Sequence, residues 1–179
     1  MLKDPEALGA TLLRGAPGQT VARVRFMAMG RDGSPINNAV VRWIPTGRGA
    51  AVRNASRATN HAGELTAEWV LGTDAGEEQG LNVSVTTWGG ASKQIALRAT
   101  AIPTHVAELH FAAETLALKL GRDSAARFFA RDDFGNEFVP DSVEFLSSDI
   151  SVAAITTGGR ISSHRRGQAV AIARVGRHV

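Results

Sequence analysis

Apolar and polar residues alternate through much of the first half of the chain. Between residues 19 and 29, small or apolar side chains fill every second position from Ala22 to Ala28, with arginines at two of the positions between them. The same pattern returns at residues 39–44, 65–70, 81–85 and 95–99, and Gly, Asn, Asp and Pro separate these segments. Successive side chains of a strand point to opposite faces of its sheet, so this period is typical of strands with one buried face. Several such strands joined by short turns predict an antiparallel β-sandwich whose core includes Trp43 and Trp69.

The pattern restarts after Pro103. Further apolar or alternating segments predict a second set of strands, at residues 106–111, 116–120, 125–131, 143–146, 152–155, 160–162 and 168–175. The sequence therefore predicts an all-β protein with three parts: an N-terminal segment at 1–16, a first β domain at 17–102 and a second β domain at 103–179. Residues 5–13 are compatible with either a short helix or an edge strand.

The composition of the chain excludes several classes of protein function. The 179 residues include no Cys, which excludes disulfides, thiol catalysis and Cys-ligated zinc. No apolar run approaches the roughly 18–20 residues of a membrane-spanning helix, and the first residues contain no apolar core of an export signal. The five His show no metal-ligand spacing, and no Gly-x-Ser-x-Gly motif occurs. We therefore expect neither an enzyme nor a bound cofactor.

Basic charge is concentrated near the C-terminus, although the net charge is only +3. No acidic residue follows Asp149, whereas five arginines do: Arg160, Arg165, Arg166, Arg174 and Arg177. Such a cluster suits an anionic membrane surface, an acidic protein partner or nucleic acid, and it is also typical of solvated loops. No aromatic residue follows Phe145, so a base-stacking platform is absent and specific nucleic-acid binding is not expected.

Acidic residues cluster around a Gly-Asn pair in the second domain. Asp132, Asp133, Asn136 and Asp141 supply oxygen atoms of the kind that calcium prefers, and they form a weak calcium candidate. The alternating Asp spacing of a helix-loop-helix calcium site is missing. Asp and Asn beside Gly are also ordinary turn residues, and this second interpretation is the simpler one.

A third candidate is the aromatic residue in the segment Trp88-Gly89-Gly90, where the pattern predicts a hairpin tip. A tryptophan at such a tip anchors a protein partner or stacks on a sugar ring, or it folds back over its own hairpin. The sequence leaves these alternatives open.

Residues 17–101 resemble the group 1 bacterial immunoglobulin-like domain, the type repeated in invasin and intimin adhesins. The resemblance rests on GQ at 18–19, DGSP at 32–35, VRW at 41–43, TNHAG at 59–63 and WVLGTDAG at 69–76. The last two segments match two consecutive motifs of this family. The first motif is Thr, then Asp or Asn, two variable residues and Gly; the second is Trp-x-Leu-Gly followed by three variable residues and Gly.

Residues 106–179 resemble the group 2 bacterial immunoglobulin-like domain. The matching segments, in order, are DFGN at 133–136, VEF at 143–145, SSD at 147–149, SVA at 151–153, GRI at 159–161 and GQAVAI at 167–172. This family normally adds one more strand after the position of Arg174-Val175, and the sequence stops at Val179. An incomplete last sheet is therefore expected, with an edge that another chain can extend by strand addition.

The two resemblances imply a tandem pair of immunoglobulin-like sandwiches in a bacterial extracytoplasmic setting: the periplasm, the cell surface or, as an alternative, a virion. The function they imply is a non-catalytic structural or accessory subunit that docks on other protein subunits of a larger assembly. An adhesin-type or carbohydrate-binding module and a virion decoration protein are the alternatives.

Overall fold

The computed structural model describes residues 2–3 and 12–176. The chain divides into two compact units, Met1–Ile102 (unit 1) and Pro103–Val179 (unit 2). The described residues form sixteen strands joined by turns and loops, and no helix occurs among them. Most of the 5–13 segment, for which the sequence allowed a helix or a strand, lies outside the described residues; Leu13 begins a strand.

Unit 1 contains two four-stranded sheets. The first has the order β1 (Leu2–Lys3), β3 (Thr20–Ala28), β6 (Glu64–Val70) and β5 (Ala51–Arg53). The second has the order β2 (Leu13–Gly15), β8 (Ser92–Ala101), β7 (Glu78–Thr86) and β4 (Val40–Pro45). Neighbouring strands are antiparallel except β2 and β8, which run parallel. Residues 13–15 therefore belong to a sheet of unit 1.

The core of unit 1 lies between the apolar faces of these sheets. Phe26 and Trp69 of the first sheet and Leu81 of the second are completely buried, as the alternation predicted. Trp43 is only half-buried; its ring lies 6.3 Å from that of Phe26, and its Nε1 donates a 2.8 Å hydrogen bond to the carbonyl of Ser56. Burial of so many large side chains gives unit 1 a core of its own.

The segment at residues 59–63 is a tight turn whose side chains replace missing backbone partners. Thr59 Oγ1 donates to the carbonyl of Ile36 at 2.7 Å and accepts from the Ala39 amide at 3.0 Å. Asn60 Oδ1 accepts from the amides of Ala62 and Glu64. At this position, the residues on which the resemblance to group 1 domains rests therefore stabilise a turn.

The turn at residues 30–35 connects strands of different sheets. It reverses the chain locally, with Met29 bridged to Pro35 and the Gly30 amide donating to the Ser34 carbonyl at 2.7 Å. However, β3 and β4 on either side of it belong to different sheets, so it does not join a hairpin of neighbouring strands. The chain crosses between the two layers of the sandwich here.

Unit 2 is built from shorter strands in three small sheets. One has the order β12 (Glu137–Phe138), β11 (Phe128–Arg131) and β9 (Glu108–Phe111). The next has the order β10 (Asp123–Ala125), β15 (Arg160–Ser163) and β14 (Ala153–Ile155). The last is a pair, β13 (Glu144–Ser147) with β16 (Ala171–Arg174). All of these pairings are antiparallel.

Two strand predictions in unit 2 were wrong. Residues 116–120 form no strand, and Leu116 and Leu120 remain exposed. The segment is held to the end of β15 by single hydrogen bonds, such as Ser163 Oγ to the Lys119 carbonyl, and a strand requires a continuous ladder. The expected strand at 125–131 is split between β10 and β11, which lie in different sheets.

Candidate functional site

The sheet of β13 and β16 has only two strands among the described residues, fewer than any other sheet. Within these residues, both β13 and β16 are paired along one side only. Ala173 on the inner face of the sheet is buried, and Phe145 opposite it is half-buried. A strand edge without a neighbour presents backbone N–H and C=O groups that another strand can pair with.

The outer face of this sheet carries the Glu144–Arg174 ion pair at one end and apolar side chains at the other, where a solvated face is normally polar. Leu146 pairs with Ile172 across the ladder, and Val170 lies on the same face two residues before Ile172. Val170 is 63% exposed and Leu146 is 37% exposed. We call Leu146, Val170 and Ile172 the outer stripe; it lies beside the open side of β16.

The core of unit 2 is only partly covered. Its buried apolar residues within the described part are Val106, Ala130, Val152 and Ala173, all of them small or medium-sized. Its large rings, such as Phe128 and Phe145, contact each other edge to face at 5.2 Å but remain only half-buried. Unit 2 therefore retains apolar surface that an added strand or partner would remove from water.

The C-terminal arginines do not form one patch of free charge. Arg160 lies in β15 and forms an ion pair with Asp123, with Nε 3.0 Å from Oδ2. Arg165 donates to Ser151 Oγ at 2.9 Å and lies 3.9 Å from Asp149. Arg174, in the separate β13–β16 sheet, lies 3.8 Å from Glu144.

Two arginines remain to be placed. Arg166 is exposed in the turn after β15, and the described residues give it no carboxylate partner. Arg177 lies outside the described residues. The sequence identified the basic residues but not the acids that neutralise three of them, because those acids are distant along the chain.

The ion pair in β10–β15 lowers the pKa of Asp123 below its ordinary value. The hydrogen bond from Arg160 is the main cause, and one from Ser162 adds to it. The pKa of Asp149 is also lowered, chiefly by the Ser151 hydroxyl and then by its backbone amide. Two carboxylates on the same unit thus have lowered pKa values for different reasons.

We expect Arg160→Gln to raise the pKa of Asp123 toward the ordinary Asp value of about 3.9 and to leave that of Asp149 unchanged. A lowered folded-state pKa stabilises the fold above the unfolded-state pKa, and this contribution is lost as pH falls through the folded-state value. The stability difference between wild type and variant should therefore shrink below about pH 4. Carbon-detected NMR titration of the Asp carboxyls measures both pKa values. An unchanged Asp123 pKa in the variant would contradict the assigned cause.

Three of the four calcium candidates, Asp132, Asp133 and Asn136, lie in a closed turn between β11 and β12. Asp132 Oδ1 accepts from the amides of Phe134 and Asn136, both at 2.9 Å, and Oδ2 accepts from Asn136 Nδ2 at 2.8 Å. Asp133 lies 3.5 Å from His105, and Asp141 is exposed beyond β12. No three acidic or His side chains of the described residues converge as a metal-ligand set. The geometry favours a turn-forming role for Asp132.

Replacing Asp132 with Ala should destabilise unit 2 by about 1–3 kcal/mol, because two backbone amides and the Asn136 side chain lose a charged acceptor. Asp132→Asn should cost less, since its Oδ1 still accepts from both amides and only the hydrogen bond from Asn136 Nδ2 is lost. Amide hydrogen exchange of residues 128–138 measures the effect, and faster exchange in the Ala variant alone is expected. Equal exchange in Ala, Asn and wild-type proteins would rule out the turn as the role of this carboxylate.

Trp88 lies at the tip of the β7–β8 hairpin, as predicted, and its side chain is 88% exposed. It does not fold back over the hairpin, so that prediction is wrong. The two binding alternatives, a protein partner and a sugar ring, remain open. Sequence reasoning missed the outer stripe of unit 2. The available signal was the presence of Leu146 and Val170 at positions where the period-two pattern places solvent-facing residues.

No protein-family model matches the chain, and no curated protein sequence matches it. Solved structures do. The D00-D0 domain of intimin matches with a TM-score of 0.51 and 12% identity, over 96% of this chain and 90% of that one. InvD of Yersinia pseudotuberculosis has a TM-score of 0.48 and 21% identity; the match covers 86% of this chain and about half (48%) of InvD. Domains 5–6 of the surface layer protein SbsC give a TM-score of 0.41 at 15% identity.

The intimin match, together with the sandwich in unit 1, defines the class. The protein is all-β, with two tandem immunoglobulin-like antiparallel β-sandwich domains. At 12% identity the match defines the fold and no activity. No helix of the described residues is long and apolar enough to cross a bilayer.

Proposed function

We propose that this chain is a non-catalytic structural or accessory module of a bacterial extracytoplasmic assembly, and that it docks there through protein–protein contacts of unit 2. The observation that carries the proposal is the β13–β16 sheet, in which β16 is paired along one side only among the described residues and which has an apolar outer stripe. The half-buried rings of unit 2 add to it. Covering a surface of this kind lowers the free energy, because apolar side chains are removed from water.

The proposed partner is another protein subunit that contributes an extended segment along β16. Backbone hydrogen bonds would supply general affinity, and apolar residues at alternate positions would extend the outer stripe. Arg166 lies in the same unit, exposed and without a carboxylate partner among the described residues. We therefore expect an acidic residue on the partner, and binding that weakens as salt screens this charge.

The sequence resemblances refine the proposal. We assign residues 17–102 to the group 1 type and residues 103–179 to the group 2 type of bacterial immunoglobulin-like domain. These types imply the periplasm or the cell surface as the location, and a spacer or accessory role. The intimin fold match supports the immunoglobulin-like part of this assignment.

Val170→Lys tests the docking surface. Val170 is 63% exposed, so the substitution leaves the fold of unit 2 intact while placing a charge beside the edge of β16. Val139→Lys is the matched control, because Val139 is 66% exposed in unit 2 and follows β12 instead. Tagged wild-type and variant chains are isolated from the source organism at low salt, and the subunits that accompany each are quantified by mass spectrometry.

The expected result is a stoichiometric partner that accompanies wild type and Val139→Lys and is lost from Val170→Lys. High salt should weaken the wild-type association. Equal recovery of the partner with both lysine variants would place the contact elsewhere on the chain and contradict the proposal. If the wild-type chain is recovered without any accompanying subunit, that result would also contradict the proposal.

A further inference from the structure

Trp88 is far more exposed than a tryptophan usually is. The amide of Thr87 donates to the Ala91 carbonyl and the amide of Gly90 to the Thr87 carbonyl, both at 2.9 Å, so the hairpin tip is closed. Open space surrounds Gly90, whose φ of +80° suits the reversal. Tryptophan is among the residues that most often anchor interfaces, and an exposed one on a closed turn is available for such a contact.

An apolar cleft lies at the base of the same tip. Its volume is about 220 Å³, and its lining includes Ala28, Met29, Ile36, Val85 and Ala91. Pockets for small-molecule ligands usually measure roughly 300–1,000 Å³, so this cleft suits one large side chain better than a ligand of that size.

The hydroxyls near the cleft are already bonded within the hairpin. Thr87 Oγ1 donates to the Ala91 carbonyl at 3.3 Å, and Ser92 Oγ accepts from Thr86 Oγ1 at 3.2 Å. A sugar would need polar groups directed at it, as well as a ring to stack on. Lys93 also lines the cleft, but the rest of the lining is apolar or bonded within the hairpin, so it favours a large side chain over a carbohydrate.

We propose that Trp88 and this cleft form a self-complementary surface through which two copies of the chain associate, with Trp88 of each copy in the cleft of the other. A two-fold interface requires one patch to carry both the projecting group and its receptor. Here the two lie side by side in unit 1, since Thr87 and Ala91, which flank the tip, also line the cleft. This association uses unit 1 and is independent of the docking proposed for unit 2.

The size of the contact predicts a weak dimer. Burying an aromatic side chain removes about 150–250 Å² from water, so two tryptophans account for roughly 300–500 Å², and the small clefts that receive them add less than that. Stable interfaces usually bury ~1,200–2,000 Å². The dimer should thus form and dissociate with concentration, which makes its dissociation constant measurable.

Sedimentation equilibrium of the full chain over a wide concentration range tests the proposal. Trp88→Ala should raise the dissociation constant by about 30-fold or more, as expected for loss of a central interface residue. Ala91→Phe fills the cleft from an exposed position and should weaken association similarly. Ile44→Ala is the control, because Ile44 is a 54% exposed apolar residue of β4 in the same unit, and it should leave the constant unchanged.

Tryptophan fluorescence supplies a second measurement. Emission from Trp88 should shift to the blue as concentration rises, and the shift should be absent in Trp88→Ala. A wild-type chain that stays monomeric at the highest concentration would overturn the proposal, as would a Trp88→Ala protein that dimerises like wild type. A monomeric chain whose Trp88 shifts only with phospholipid vesicles would also overturn it, in favour of a membrane contact.

Discussion

Replacing Trp69 with alanine is expected to lower the free energy of unfolding of unit 1 by about 3–5 kcal/mol. Trp69 is the largest of the completely buried side chains and lies in the central strand β6, between β3 and β5. Its removal leaves a cavity at the centre of the sandwich, and the flanking strands cannot close it without disturbing their ladders. The lost burial and the cavity both contribute to the cost.

Trp69→Phe separates ring packing from polar effects. The indole Nε1 of Trp69 is buried and has no hydrogen-bond acceptor among the described residues. Phenylalanine keeps most of the apolar ring and removes this unsatisfied donor, which itself costs about 1–3 kcal/mol. We therefore expect Trp69→Phe to destabilise much less than Trp69→Ala.

Urea denaturation measures both variants. All three tryptophans, at 43, 69 and 88, lie in unit 1, so fluorescence from the remaining two follows this unit without a contribution from unit 2. An alanine variant within about 1 kcal/mol of wild type would show that the sandwich core is not organised around this ring.

Replacing Gly63 with alanine is the second change with a large expected cost. Gly63 has a φ of +74°, and a Cβ there would lie 2.4 Å from the backbone carbonyl oxygen of Ala28. The left-handed conformation costs a residue with a side chain about 1–2 kcal/mol. Moving the strand backbone aside adds about 1–3 kcal/mol, because the Ala28 amide also donates to the Gly63 carbonyl at 2.8 Å.

Gly76→Ala is the matched control for Gly63→Ala. Gly76 has a similar φ of +84°, but a Cβ there meets no atom within 4 Å. It should show only the cost of the left-handed conformation, and the difference between the two variants isolates the steric effect at Gly63. The same fluorescence-monitored denaturation applies. Equal destabilisation by the two substitutions would contradict the close approach of the turn to β3.

The sequence predicted unit 1 better than unit 2, and strand length explains the difference. β3, β6, β7 and β8 have seven to ten residues, so several side chains alternate and each face is clear. In unit 2, β10 and β12 have three and two residues, too few to show a period. In unit 2 the leucines of 116–120 alternate without a paired strand, because pairing depends on residues distant along the chain.

The candidate site was predictable only in part. Trp88 at a glycine-rich tip was visible in the sequence, whereas the cleft beside it is assembled from β3, β7 and the segments next to them. The arginines were visible, but their pairing with Asp123, Asp149 and Glu144 depends on tertiary structure. The outer stripe became evident only when β13 was paired with β16.

The central claim is that a partner subunit completes the β13–β16 sheet, and amide hydrogen exchange over residues 168–175 tests it most directly. The free chain is compared with the same chain in the assembly isolated from its source at low salt, with β7 and β8 as the internal reference. The account predicts that exchange across β16 slows in the assembly while the reference strands stay the same. Equal exchange of β16 in both states, or protection supplied by another segment of the same polypeptide, would contradict it.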